Sequence, residues 1–76
     1  MHTIKKLNKK QVAKNAYRMI AEKSLNSGES IESIALSLEI SERTIYYWQK
    51  GERTPSADHL YRLSQWLGVS MERILV

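Results

Sequence analysis

The sequence predicts an all-α domain, a compact bundle of five short helices. Apolar residues recur at the 3 and 4 spacing of a helix face in one segment after another. Serine or asparagine stands before each segment, where its side chain can accept from the free N–H groups of a helix start. Glycine closes several of them, as it does where a helix ends in a left-handed residue.

The first helix is introduced by Asn8 and Gln11, a capping-box-like pair, with Leu7 and Val12 as the matching hydrophobic staple. Val12, Ala13, Ala16, Tyr17, Ile20, Ala21 and Ser24 form its stripe, and the Asn26-Ser27-Gly28 break ends it. Ser30 caps the second helix, whose Ile31, Ile34, Ala35 and Leu38 share one face, so that it ends near Leu38. Only Glu39 to Ser41 remain for a turn. Ser41 caps the third helix, Ile40 and Ile45 can close as its staple, and Gly51 stops it with Pro55 beyond. Ser56 caps a fourth helix with Leu60, Leu63 and Leu67 inward until Gly68. Ser70 caps a last short helix stapled by Val69 and Ile74. Burying one large aliphatic side chain contributes roughly 1.5 to 3 kcal/mol before entropy is subtracted, so helices two and three must lean on one, four and five. Residues 1–7 then form a basic arm and residues 8–76 one domain.

Residues 30–51, SIESIALSLEISERTIYYWQKG, have the form of a helix-turn-helix. Ala35 is small where two helices joined by so short a turn cross closely. On a wheel of about 100° per residue with Arg43 at zero, Tyr47 falls at about 40°, Lys50 at about 340° and Tyr46 at about 300°. Ile45 and Trp48 fall opposite, as core anchors. One face therefore gathers a guanidinium, two phenols and an ammonium, and a major groove about 12 Å wide accepts such a helix. Arg43 is the best candidate for a base, preferably guanine through O6 and N7. Glu42 either favours the positive helix start or accepts from cytosine N4. Lys50 and Arg53 suit phosphate, although Lys50 is also favourable at a helix C-terminus. Ser30 and Ser41 stand at helix starts whose N–H groups can meet phosphate.

At these residues the chain resembles the phage repressor and Cro-like helix-turn-helix family of bacterial regulators, from roughly Ala16 to Leu75. Gly51-Glu52-Arg53-Thr54-Pro55-Ser56 looks like the family's glycine-to-proline connector, and Leu60, Leu63, Leu67, Gly68, Val69, Ser70 and Ile74 match its last two helices. The resemblance implies a lambda-repressor-like fold in which Ser41 to Thr44, Tyr46, Tyr47 and Lys50 approach DNA. Base-facing candidates are thus Glu42, Arg43, Thr44, Tyr46 and Tyr47, and phosphate-facing ones Ser30, Ser41, Lys50 and Arg53. Three positions depart from the pattern. Glu39 stands where the turn usually has glycine, and a left-handed residue there would cost about 1 kcal/mol or more. Ile31 replaces a frequent glutamine that touches phosphate, and Leu36 sits where a polar residue is expected, able to cover helix one or a partner subunit.

Composition agrees with a binding module. Seventy-six residues make one domain, near the lower size at which a core alone suffices, and leave no room for a second, cofactor-sized lobe. The chain has no cysteine, which excludes disulfides and a cysteine-based zinc site and fits a reducing cytoplasm. His2 and His59 show no ligand spacing, so neither a metal nor a cofactor is expected. No phosphate loop or convergent nucleophile and base appears, and an enzyme is not expected. The longest apolar run, Ile45 to Trp48, spans no membrane, and the basic start lacks the apolar stretch of a secretory signal. The net charge of +4 is uneven: Lys5, Lys6, Lys9, Lys10, Lys14, Arg18 and Lys23 face Glu22 alone in the first 28 residues. That concentration suits nucleic acid, through counterion release, or a solvated arm.

The expected function is a sequence-specific DNA-binding transcriptional regulator, a repressor that binds a palindromic operator as a dimer in the cytoplasm. Trp66, Met71 and Ile74-Leu75-Val76 offer apolar surface for a homodimer, although some must be core. Two alternatives stay open. One is a protein-interaction module, antitoxin-like or an antagonist, that meets a protein partner through exposed tyrosines and Trp66. The other is a membrane-surface role for helix one, which competes with the core for its apolar stripe.

Overall fold

The computed structural model describes residues 8–75. The basic arm at 1–7, the Leu7 half of the first staple and Val76 lie outside the described residues. Five helices follow in the predicted order: α1 Lys9–Ser27, α2 Ile31–Leu38, α3 Glu42–Lys50, α4 Ala57–Leu67 and α5 Met71–Leu75. Side-chain oxygens of Asn8, Ser30, Ser41 and Ser56 each accept from the N–H three residues on at 3.1 Å, so the first four helices begin where local chemistry places them. The reciprocal half of the capping box is not made. Gln11 instead turns its amide along α1 and donates to Asn15 Oδ1 at 2.9 Å. At Ser70 the backbone oxygen is the acceptor, from the Arg73 N–H at 3.1 Å.

Val12, Ala13, Ala16 and Ile20 of α1, Ile34, Ala35 and Leu38 of α2, Ile45 and Trp48 of α3, Leu60 and Leu63 of α4 and Ile74 of α5 close one core. Ile40 is buried with Ile45, as the predicted staple requires. α3 packs chiefly on α1, while α2 touches α1, α3 and α4, and α5 rests on α1 and α4. The long first helix is therefore the support for the second half of the motif. A buried asparagine ties the last helix to it: Asn15 Nδ2 donates to the Ile74 carbonyl at 3.1 Å. Leu36 is 77% exposed and covers no part of α1, which removes one of the two roles expected for it.

The turn between α2 and α3 has three residues, 39–41. Glu39 adopts the left-handed conformation, φ 59° and ψ 41°, the one non-glycine residue with positive φ among those described. Its N–H donates to the Leu36 carbonyl at 3.2 Å and the Ile40 N–H to the Ala35 carbonyl at 3.1 Å, which closes α2. The turn thus keeps the geometry that glycine would serve, and Glu39 carries the strain. Glu39→Gly is expected to stabilise the domain by about 0.5 to 1 kcal/mol, part of the relief being offset by the greater freedom of glycine in the unfolded chain. Urea unfolding measures it, and an unchanged or lowered midpoint would show that Glu39 is not strained.

Candidate nucleic-acid interface

α3 is oriented by its inner edge. Ile45 and Trp48, three residues apart and therefore on one side of the helix, are fully buried. Glu42, Arg43, Tyr46 and Lys50 are exposed as a consequence, and Tyr47 is half-buried. Of the expected base-facing residues, Glu42 and Arg43 extend freely from the first turn. The two tyrosines are braced. The Tyr46 ring lies 6.3 Å from that of Tyr17 on α1, tilted by 43°, and remains 37% exposed. Arg53, from the connector, sets its guanidinium 4.5 Å from the centroid of Tyr47, a cation–π contact that holds both side chains.

Thr44 belongs to the cap as much as to the outer face: its hydroxyl lies 2.7 Å from that of Ser41, and its N–H donates to Ser41 Oγ. Ser30 Oγ likewise accepts from Ser33 N–H. Both serine oxygens accept capping bonds, so any phosphate at these helix starts would meet the free N–H groups of the first helical residues after each serine as well as the hydroxyls. Lys50 and Arg53 are exposed beyond the other end of α3. The expected set is therefore brought together along one helix and its two ends, with Ser30 contributed by the start of α2.

Residues outside the expected interface set complete this surface. Tyr17 packs against the core, as its place in the α1 stripe predicts, and also supports Tyr46. Lys10 and Lys14 of α1 reach the tail of α3, where their side-chain carbons lie against Gly51. Arg62 of α4 donates from Nη1 to the Glu39 carbonyl at 3.0 Å and to that of Leu38 at 3.4 Å, while Nη2 pairs with Asp58 at 2.9 Å. It braces the turn from outside the motif. The 4 and 3 spacing of Lys10, Lys14 and Tyr17 was visible as one helical face, but nothing in that spacing names α3 as the neighbour.

A family model described as helix-turn-helix matches residues 26–74. No curated protein and no solved structure matches the chain. Among the described residues no helix is long and apolar enough to cross a membrane.

Arg62→Met tests the brace. Loss of a charged donor to two carbonyls is expected to cost about 1 to 2 kcal/mol, a range set low because the guanidinium side chain is 38% exposed. Asp58→Asn removes only the surface pair and should cost about 0.3 to 0.5 kcal/mol. Equal losses in denaturant unfolding would mean that the bonds to the turn contribute nothing.

Proposed function

Because the chain belongs to the Cro-like helix-turn-helix family, a family of DNA-binding regulators, we propose that it is a sequence-specific transcriptional repressor that binds a palindromic operator as a dimer. The observation that carries this is the division of α3 into a locked inner edge, Ile45 and Trp48, and an outer edge of exposed Arg43, Tyr46 and Lys50 with half-buried Tyr47 between them. Arg43 reads a base, preferably guanine. Glu42 and Thr44 border it at the helix start, and the two phenols contact thymine methyl groups and base edges beside it. Ser30 and Ser41, with the N–H groups around them, and Lys50 and Arg53 hold phosphates and so fix the register. Two subunits occupy half-sites about 34 Å apart on one face of the duplex, and repression follows from occlusion of the polymerase. The domain acts in the cytoplasm and carries out no catalysis.

A second reading, a protein-interaction module, draws support from an open groove of about 440 Å³ on the side formed by α2 and α4, lined by Leu38, Tyr61, Arg62 and Trp66 among others. Exposed Leu36 and Tyr61 add apolar surface to the chain.

Selection of duplexes from a random DNA pool tests the first reading. Enrichment of a site with two symmetric halves is expected, and Arg43→Ala should weaken that site by about 1 to 3 kcal/mol, roughly 5- to 150-fold, with a much smaller effect on random duplex. Absence of any enriched sequence, or equal binding by Arg43→Ala, would remove Arg43 as a base reader and favour the protein-interaction module.

A further inference from the structure

We propose that Lys10 and Lys14 of α1, with Lys50 and Arg53, form a clamp for the phosphodiester backbone of duplex DNA beside the tail of α3; this rests on α3 entering the groove. Gly51 is what lets the clamp assemble. A side chain there would place its Cβ 2.6 Å from Lys10 Cγ, 3.3 Å from Lys10 Cδ and 3.4 Å from Lys14 Cε. The lysine stems therefore lie across the bare backbone that ends α3, immediately after Lys50. Being four residues apart, Lys10 and Lys14 share one face of α1, separated by about 6 Å along its axis. The tail of the recognition helix is thus flanked by cations from an element outside the helix-turn-helix.

Arg53 stacks on Tyr47 and Lys50 serves the end of α3, whereas Lys10 and Lys14 have no ion pair among the described residues. The one ion pair among the described residues joins Asp58 to Arg62, so Lys10, Lys14, Lys50 and Arg53 pair with no carboxylate there. Glu52, the acidic neighbour of Gly51, is exposed and likewise outside any ion pair among the described residues. The negative C-terminal end of α3 already has Lys50 in its last turn. Gathering two more ammonium groups at the same place adds mutual repulsion, which a polyanion relieves by releasing its counterions. The ligand class is a regularly spaced row of phosphates, bound without regard to base sequence.

The test is the salt dependence of binding to random-sequence duplex DNA, for the parent chain and for Lys10→Gln/Lys14→Gln. Each neutralised phosphate contributes about 0.9 to the slope of log affinity against log salt, so the double variant should lose about 1.8. The ratio of parent to variant affinity should then fall about tenfold between roughly 50 mM and 200 mM salt. Lys10→Arg/Lys14→Arg should keep the parent slope. Lys23→Gln, at the far end of α1 where the ammonium lies 5.9 Å from the Trp66 ring, should also leave it unchanged. Thermal unfolding verifies that each variant is folded, and the single glutamine variants, each expected to lose about 0.9, replace the double one if it is not. An unchanged slope on a duplex that the parent binds overturns the clamp alone. A parent that binds no duplex even at low salt overturns the groove reading and the clamp with it.

Discussion

The candidate interface depends on the rotation of α3 about its own axis, and two buried side chains set it. Ile45 and Trp48 occupy one edge of the helix, and both are removed from water. Trp48 additionally meets the half-buried His59 of α4 edge-on, with ring centroids 5.5 Å apart. Turning α3 by one residue, about 100°, would drive Tyr46 or Gln49 into the core and expose an aliphatic or indole side chain. Each such exchange forfeits roughly 1.5 to 3 kcal/mol of apolar burial, a large share of the stability available to a domain this small. Arg43 and Lys50 need no contact of their own to be presented outward.

The angle of the motif depends on polar devices that work at the edges of that core. Glu39 accepts a left-handed conformation so that α2 and α3 can be joined by three residues, and Arg62 reaches across from α4 to the two carbonyls at the bend. Strain of about 1 kcal/mol at one residue is comparable with what a charge-assisted bond returns. A turn without glycine is thereby held in the shape that glycine would allow. Asn15 performs a similar service at the other side of the bundle, where its amide joins α1 to the carbonyl of Ile74 and docks a helix too short to persist alone.

The first helix is more than a scaffold for the motif. Along one side it buries Val12, Ala13, Ala16 and Ile20, and along another it delivers Tyr17 to Tyr46 and two lysine stems to Gly51. The candidate interface is consequently shared by two helices far apart in sequence. Its aromatic rings are restrained on both flanks, Tyr46 by a ring and Tyr47 by a guanidinium. Rings restrained in this way lose less rotamer freedom when a ligand arrives.

Helix positions, capping residues, the three-residue turn and the inward set of Ile34, Ala35, Leu38, Ile45, Trp48, Leu60 and Leu63 were determined by the sequence alone, because caps and periodic apolar stripes act between residues a few places apart. The outward direction of Arg43 and Lys50 followed from the same period. Only the tertiary structure decided that Gln11 bonds Asn15 and that Arg62 braces the Glu39 bend. It also decided that Leu36 stands in solvent and that Lys10, Lys14 and Tyr17 border α3. Those contacts join residues distant along the chain or depend on which rotamer a crowded neighbour permits. A pattern of spacing encodes the face on which a side chain lies, whereas the packing of whole helices determines what that face meets.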